Sequence, residues 1–198
     1  MLKEFSCDGV KIAVLRFDGE IDEDKFNSLL FEVEPTKKES ILTHKTKKDR
    51  DNMLIGALLL NYMLKKYYDI NFEDIEFFYN EYGKPYLKNA DDIFFNISHS
   101  DNYIACAVCN REIGIDIEAK RKYNEKLAQR VFSAQKQKYL QKADDKDKEF
   151  TRLWTQKEAY LKMLGTGFSK SGQTLDFPMS KSFELDNAIL SVIKRQKE

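Results

Sequence analysis

The sequence predicts an α+β protein of two lobes, 1–100 and 101–198, and three observations support this fold class. Short runs rich in β-branched and aromatic residues, typical of strands, occur in both halves of the chain. Segments with the helical spacing of apolar residues also occur in both halves. The two kinds of segment are interspersed, and a chain of 198 residues is long enough for two lobes with cores of their own.

The first half is predicted to begin with a strand and then to become helical. The stretch VKIAVLRF alternates as a strand over 10–17, and an amphipathic helix is expected over 22–33, ending before Pro35. A longer helical region follows and is clearest over 51–68. Short strands complete this half, at 75–80, 84–87 and 93–98.

The second half is predicted to open with two strands, NYIACAVC and EIGIDIEA. Two helical segments follow, and then a longer helix over about 146–164, which the pair Gly165 and Gly167 is expected to end with a left-handed cap. The chain closes with SFELDNAILSVI, which is typical of a hairpin that turns at Asp186 and Asn187.

The composition restricts the class of protein. Lys and Arg total 33, against 33 Asp and Glu, which argues against a broad nucleic-acid-binding surface. No run approaches the ~20 apolar residues of a membrane span, and the N-terminus lacks the apolar core of a signal peptide, so a cytoplasmic protein is expected. Three cysteines fit free thiols. Cys106 and Cys109 face opposite sides of a predicted strand, which disfavours a zinc site there.

Carboxylates are the first candidate site. On the strand IGIDIEAK, Asp116 and Glu118 share a face, ~6–7 Å apart, either as a solvated polar face or as part of a site. If Glu158 joins them, each pair ~6 Å apart repels by about 3 kcal/mol at an effective dielectric constant of 20. Such a cluster requires a cation, and an all-oxygen ligand set selects Mg²⁺ first.

Basic residues are the second candidate set. Lys162 lies one helical turn after Glu158, so the two form either an ordinary ion pair or part of a site. Lys157 falls within the apolar stripe of the same helix, where its ammonium either reaches solvent or meets a buried anion. His99 follows the strand FFNIS as a catalytic base, a metal ligand or a hydrogen-bonding residue.

Four stretches occur in an order that carries a family resemblance: GKPYL at 83–87, FNISHS at 95–100, GIDIE at 114–118 and WTQKEAYLKMLGTG at 154–167. In this order they resemble the surfactin-type, two-lobed phosphopantetheinyl transferases. The resemblance implies a monomer built as a pseudo-dimer of two similar lobes. It also implies transfer of the phosphopantetheine arm of coenzyme A to a serine of an acyl or peptidyl carrier protein, with release of adenosine 3′,5′-bisphosphate.

The resemblance further implies roles for the matching residues. Asp116, Glu118 and Glu158 hold Mg²⁺ against the coenzyme A diphosphate, and Glu158 also activates the attacking serine. Lys157 and Lys162 contact phosphates. Residues that border the nucleotide or meet a coenzyme A phosphate are Lys37, Lys84, Pro85, Ser98 and His99. A serine-histidine hydrolase is not expected, because the chain has no G-x-S-x-G turn.

Two positions depart from the family pattern. Asn52 stands four residues before Gly56, where the family often has an arginine. Lys136 stands three residues after Ser133, where the family usually has the acidic residue of a capping box. The first departure affects the expected contact to the ribose phosphate, and the second weakens a helix start.

Two other functions compete with the transferase. One is a catalytically decayed binder of coenzyme A or of a carrier protein, although all three carboxylates and both lysines are present. The other is a Mg²⁺-dependent nuclease, built on the spacing of Glu118 and Lys120 with Asp101 as a further acidic residue. The zero net charge counts against the nuclease.

Overall fold

A computed structural model describes residues 1–166, 176–178 and 180–196. Within these residues the chain is a mixed α+β fold. Its strands are β1 (Leu2–Cys7), β2 (Val10–Arg16), β3 (Phe77–Tyr79), β4 (Pro85–Leu87), β5 (Phe94–Ser100), β6 (Tyr103–Cys109), β7 (Ile113–Ala119), β8 (Lys181–Leu185) and β9 (Ala188–Lys194). Its helices are α1 (Glu23–Leu30), α2 (Pro35–Leu42), α3 (Lys47–Tyr68), α4 (Glu125–Val131), α5 (Ala134–Lys142) and α6 (Lys146–Leu164), with a 3₁₀ turn at Phe72–Asp74.

The strands form three antiparallel sheets. The first has the order β1-β2-β6-β5, the second is the β3-β4 hairpin, and the third has the order β7-β9-β8. Apolar residues of β2 and β6 pack against apolar residues of β7 and β9, so the first and third sheets share a core. The other face of the first sheet packs on α3. Strand β6 is therefore buried on both faces.

The assignment of strands to sheets bears on where the boundary between the two predicted lobes lies. Strand β6 pairs with β2 and with β5, so it belongs to the first sheet although it follows residue 100. By sheet membership alone, the divide lies after Cys109 and before Ile113. The predicted lobe boundary at residue 100 stays a prediction.

The first strand of the chain was not expected from its sequence. Strand β1 is an edge strand with mostly exposed side chains, so its hydrophobic alternation is weak. It pairs with β2 through a turn at Asp8 and Gly9, whose φ angles are 50° and 78°. Two positive φ angles in a two-residue loop are typical of a type I′ turn, for which Asp-Gly is a preferred sequence. That dipeptide was the available signal.

Helix α3 includes the whole stretch 51–68, in which the helical pattern is clearest, and begins before it. The hydroxyl of Thr46 accepts a hydrogen bond from the amide of Asp49, so the helix starts at Lys47. Its buried face packs on the first sheet. A Cβ atom at Gly56 would lie 3.2 Å from Cγ2 of Ile97 on β5, so the glycine allows the helix to lie close to that strand.

Helix α6 has the predicted bounds and packs directly on β7. A Cβ atom at Gly114 would lie 1.9 Å from the carbonyl oxygen of Ala159 and 2.5 Å from the amide nitrogen of Met163. Only a residue without a side chain permits this contact. Gly165 ends the helix with a φ of 67°, as predicted, while Gly167 lies outside the described residues.

The departure at Lys136 has a structural counterpart. The N-cap Ser133 makes no side-chain capping hydrogen bond to α5, and Lys136 cannot supply the reciprocal bond of a capping box. The ammonium of Lys136 instead bonds the carboxylate of Asp176 and the carbonyl oxygen of Phe177, and it lies over the Phe177 ring. This residue therefore fastens the described segment 176–178 to α5.

The structure bears on two predictions made from composition, the state of the cysteines and the lack of a membrane-spanning helix. Cys7, Cys106 and Cys109 are free thiols. Cys106 lies in the core beneath α3, whereas Cys109 lies in the core between the first and third sheets, so the two face opposite ways as predicted. In the described part of the chain, no helix has the length and apolar character needed to cross a membrane.

Candidate active site

The candidate site lies where β7, β5 and α6 meet. The isoleucines of β7 point into the core between the sheets, and Gly114 of the opposite face touches α6. Asp116 and Glu118 alternate with the same isoleucines, so they share the face of Gly114. Close packing at Gly114 therefore brings the α6 residues Glu158 and Lys162 to the carboxylates of β7.

Asp116 is the most constrained of the three carboxylates. It is 5% exposed, and its Oδ1 accepts hydrogen bonds from Nζ of Lys162 at 2.7 Å and from Oγ of Ser98 at 2.9 Å. Its Oδ2 is buried and has no hydrogen-bond partner among the described residues. A buried carboxylate oxygen without a donor is costly, so this atom is available to a ligand.

Glu118 lies two residues further along the strand, in a half-buried position. Its Oε2 accepts a hydrogen bond from Oγ of Ser100 at 2.9 Å, and Nη1 of Arg121 lies 3.6 Å from its Oε1. Burial raises the pKa of this carboxyl, and the charge of Asp116 raises it further. Its charged form is thus less favourable than that of a glutamate in water, although the Ser100 hydrogen bond and the charges of Arg121 and Lys162 oppose this effect.

Glu158 faces the two carboxylates of β7 from α6. Burial, followed by the charge of Asp116, raises its pKa to about 7, and the charge of Glu118 adds to the rise. The ammonium of Lys162, one turn later, opposes this effect. Glu158 and the two carboxylates of β7 therefore act on one another electrostatically, which is the condition that the sequence analysis set for a shared site.

Strand β5 meets β7 through side chains rather than through a backbone ladder. Asn96, Ser98 and Ser100 share one face of β5, and each accepts a hydrogen bond from a backbone amide of β7. The donors are Ile115 to Asn96 at 2.9 Å, Ile117 to Ser98 at 3.3 Å and Ala119 to Ser100 at 3.3 Å. The two serines also donate to the carboxylates between those amides. We call these three residues the β5 polar row.

The site has ligands suited to a hard cation. Within the described residues, no three His, Cys, Asp or Glu side chains form a group arranged to hold a metal ion. Lys162 pairs with Asp116 in this arrangement. The free Oδ2 of Asp116 and the raised pKa of Glu158 nevertheless fit a cation between the carboxylates, and oxygen ligands suit Mg²⁺.

A cavity of about 240 Å³ adjoins this site on the other face of β5. Its lining includes Lys37, Asn52, Pro85 and His99, together with apolar side chains of α3 and β5. Burial lowers the pKa of Lys37. Burial also lowers the pKa of His99, and the nearby charge of Lys162 lowers it further. The cavity thus combines a largely apolar lining with the nitrogen groups of Lys37, Asn52 and His99 and the carboxyl of Glu34.

Two family models match the chain. The model for "4'-phosphopantetheinyl transferase, N-terminal" matches residues 20–111, and the model for the "4'-phosphopantetheinyl transferase superfamily" matches residues 112–195. The 4'-phosphopantetheinyl transferase gsp of Aneurinibacillus migulanus is 37% identical over 160 residues, which is 80% of this chain and 67% of the relative.

Two further relatives have similar names. The 4'-phosphopantetheinyl transferase Sfp of Bacillus subtilis is 32% identical over 163 residues, covering 81% of this chain and 72% of the relative. The L-aminoadipate-semialdehyde dehydrogenase-phosphopantetheinyl transferase of Saccharomyces cerevisiae is 27% identical over 195 residues. The match covers 93% of this chain and 72% of the relative. The chain belongs to the 4'-phosphopantetheinyl transferase superfamily. The resemblance seen in the four sequence stretches is confirmed.

Lys162 of this transferase bonds Asp116, and Glu158 acts electrostatically on Asp116 and Glu118. Lys37, Pro85 and His99 line the adjoining cavity. Ser98 and His99 lie on opposite faces of β5, so their side chains have different surroundings. Ser98 contacts Asp116 and Lys162, whereas His99 lines the cavity. Their contacts with a coenzyme A phosphate stay predictions.

Lys84 of the transferase is engaged by protein groups. Its Nζ donates to Oε2 of Glu112 at 2.7 Å and to the carbonyl oxygen of Met163 at 2.9 Å, and burial lowers its pKa. Asn80, at the start of the same loop, donates to the carbonyl oxygen of Gly165 at 2.9 Å. The GKPYL stretch therefore connects the β3-β4 hairpin to the end of α6. Its nucleotide contact stays a prediction.

Lys157 is 1% exposed, and its Nζ donates to the carbonyl oxygen of Val131 at 2.8 Å. Val131 is the last residue of α4, so the ammonium satisfies a carbonyl group that the helix leaves without an internal partner. The structure thus places Lys157 in the interior rather than extended to solvent. Its contact with a coenzyme A phosphate stays a prediction.

The sequence analysis did not single out Asn96 and Ser100 as site residues. Their signal was the alternation of Asn96, Ser98 and Ser100 on a strand otherwise made of apolar residues and His99. Three polar side chains on one face of a buried strand require partners. The sequence alone does not identify the strand that provides them.

Proposed function

We propose that this protein transfers the phosphopantetheine arm of coenzyme A to a serine of an acyl or peptidyl carrier protein and releases adenosine 3′,5′-bisphosphate. The proposal rests on one observation: the carboxylates of Asp116, Glu118 and Glu158 act on one another, and Lys162 bonds Asp116. A largely apolar cavity that includes Lys37 and His99 in its lining lies beside them. Membership of the transferase family supports the reaction class. A decayed binder is less consistent with a site in which every expected carboxylate is present.

The proposed reaction is a displacement at phosphorus. The hydroxyl oxygen of the carrier serine bonds the phosphorus atom that bears the pantetheine arm. The bond from that phosphorus to the bridging oxygen of the diphosphate breaks, and adenosine 3′,5′-bisphosphate leaves with the electron pair. A carboxylate oxygen of Glu158 accepts the serine proton. A carboxylate within hydrogen-bond reach of the serine hydroxyl can take its proton as the attack proceeds.

Asp116, Glu118 and Glu158 are the residues that would hold Mg²⁺. When bound, the ion neutralises charge on the diphosphate. Lys162 pairs with Asp116 in the structure and lies near His99, so its ammonium is placed to move from the carboxylate to a phosphate oxygen. In this proposal Lys37, Pro85 and His99 line the place of the nucleotide, and Asn52 lies there instead of the family arginine.

The proposal also includes the architecture of the chain, its oligomeric state, its location and its carrier partners. The chain is a two-lobed pseudo-dimer and a monomer, and it acts in the cytoplasm. Fatty-acid, polyketide and nonribosomal-peptide carriers remain candidate partners. Three basic residues after β7, Lys120, Arg121 and Lys122, are candidates for contact with acidic carriers. Within the chain, Lys120 pairs with Glu184 and Arg121 pairs with Glu118.

The experiment that tests the proposal is the intact mass of an apo carrier protein after incubation with this protein and coenzyme A. Parallel samples contain Mg²⁺ or excess EDTA, and several carriers are compared. The expected result is a mass gain of one phosphopantetheine on the carrier serine with Mg²⁺ alone. No gain on any carrier, with coenzyme A still bound, supports the decayed binder.

A further inference from the structure

A second set of hydroxyl groups lies between α6 and strands β8 and β9, next to the candidate site. The hydroxyl oxygens of Thr155 and Ser191 are 2.7 Å apart, and those of Ser191 and Ser182 are 2.8 Å apart. Nε2 of Gln156 donates to the hydroxyl of Ser182 at 3.0 Å. Thr155 and Ser191 are fully buried. These four residues, which we call the hydroxyl chain, link α6 to strands β8 and β9.

The direction of these hydrogen bonds follows from the number of protons. Thr155 donates its only hydroxyl proton to the carbonyl oxygen of Arg152 at 3.0 Å. It must therefore accept from Ser191. Ser191 in turn accepts from Ser182, which accepts from Gln156. Each hydroxyl donates once and accepts once, so the loss of one hydroxyl leaves a buried neighbour unsatisfied.

The register between β7 and β9 places the hydroxyl chain beside the candidate site. Ser191 of β9 pairs directly with Asp116 of β7, so the two side chains lie on the same face of the sheet. Thr155 lies three residues before Glu158, within one turn of α6. The bond between Thr155 and Ser191 thus joins the helix that carries Glu158 to the sheet at the level of Asp116.

The close contact at Gly114 does not fix the position of α6 by itself. It allows the helix to approach the sheet, but a contact without a side chain permits sliding and rotation. A hydrogen bond has a preferred distance and angle. The Thr155–Ser191 bond therefore supplies a directional constraint that the glycine contact lacks, and it does so from fully buried groups, in addition to the half-buried Lys162 bond to Asp116.

We propose that Thr155 and Ser191 are positioning residues for the transfer reaction. Their hydroxyl bond sets the rotation and height of α6, so that Glu158 and Lys162 face Asp116. Neither residue touches the reacting groups in this proposal, which rests on the proposed function. Loss of the bond therefore weakens the joint action of Glu158 with the carboxylates of β7 and leaves the nucleotide cavity unchanged.

The test compares Thr155→Val, which keeps the shape and removes the hydroxyl, with Thr155→Ser, which keeps the hydroxyl. Ser191→Ala removes the other partner. Leu140→Val is the matched control, because Leu140 is fully buried on α5 and has no place in the hydroxyl chain. For each variant we measure kcat, the KM for coenzyme A, the thermal midpoint, and Mn²⁺ affinity by electron paramagnetic resonance with coenzyme A present.

The expected result is a loss of kcat and of Mn²⁺ affinity on the order of tenfold or more in Thr155→Val and Ser191→Ala, with the KM within about twofold of the parent protein. Thr155→Ser restores both quantities, and Leu140→Val lowers the thermal midpoint alone. The proposal is overturned if Thr155→Val loses only thermal stability, or if Thr155→Ser is as impaired as Thr155→Val.

The metal measurement separates this proposal from the proposed function. If the parent protein modifies no carrier, the transfer proposal fails, and the Mn²⁺ affinities still decide the positioning role. Unchanged affinity in both Thr155→Val and Ser191→Ala then rejects it, and a loss restored by Thr155→Ser supports it.

Discussion

The hydroxyl oxygen of Ser98 donates to Oδ1 of Asp116 at 2.9 Å and accepts from the amide of Ile117 at 3.3 Å. One side chain of the first sheet thus satisfies both a backbone group and a candidate catalytic group of the third sheet. Nζ of Lys162 lies 2.8 Å from the same oxygen. Ser98 is therefore the point at which β5, β7 and α6 meet, and the geometry of the site depends on all three elements.

Substitution of Asp116 tests the role of the three clustered carboxylates. We expect Asp116→Asn to lower kcat by at least ~100-fold, a loss typical of removing a group that stabilises transition-state charge. The fold should persist, because the amide keeps the shape of the side chain. Transfer to an apo carrier is measured by intact mass, and circular dichroism checks the fold. Glu158→Gln is expected to behave in the same way, and full activity in either variant removes that carboxylate from the proposed mechanism.

Ser100 tests the β5 polar row. Its hydroxyl donates to Glu118, so Ser100→Ala leaves that carboxylate without its hydrogen bond. We expect Mg²⁺ affinity to fall by roughly 10- to 100-fold, as for other residues that orient metal ligands. Calorimetric titration of the coenzyme A complex measures the change. Ser100→Thr keeps a hydroxyl and serves as the control, and an alanine variant with parental affinity contradicts the orienting role.

Gly114 tests the contact between β7 and α6. A Cβ atom there would lie 1.9 Å from the Ala159 carbonyl oxygen, so Gly114→Ala must push the helix from the sheet. We expect the free energy of unfolding to fall by ~1–3 kcal/mol or more, the usual range for overpacking. Urea denaturation provides the measurement. Gly19→Ala is the control, since its nearest neighbour would be the Phe17 ring at an ordinary 3.5 Å. Equal stability of the two variants disproves the steric argument.

Glu4 predicts a pH dependence of stability. Its carboxylate on β1 accepts hydrogen bonds from Lys66, Tyr62 and Tyr67 of α3. The Lys66 bond, followed by the Tyr62 bond, lowers the pKa of Glu4 from 4.5 to about 2. A carboxyl whose folded pKa is depressed stabilises the fold fully above its unfolded pKa, and this contribution disappears as the pH falls through the folded value.

We therefore compare the parent protein with Glu4→Gln by chemical denaturation between pH 7 and pH 2. The parent's advantage should be constant above its unfolded pKa and should shrink as the pH falls from about 4.5 to about 2. Its size is expected to be ~1 kcal/mol or less, because ion pairs near the surface are screened by water. A difference that does not change with pH contradicts the assigned partner set.

Local patterns predicted most of the elements. Helix α6 has the bounds that its apolar spacing predicts, and the last hairpin turns at Asp186 and Asn187, where Leu185 pairs with Ala188. Strand β1 was missed because an exposed edge strand has little hydrophobic alternation. Periodicity reports only which side of an element faces the core, so an element with no clearly buried side gives a weak signal.

By itself, the sequence determined the family, the order of the motifs and the set of residue types that can bind a metal and phosphates. The tertiary structure alone decided the partners of those residues. Lys162 bonds Asp116, Lys157 bonds the Val131 carbonyl, and Ser191 lies opposite Asp116. Such contacts join segments distant in the chain, and they depend on strand register and helix packing. Neither is a property of a short stretch of sequence, because each is set by how whole elements exclude water from a shared core.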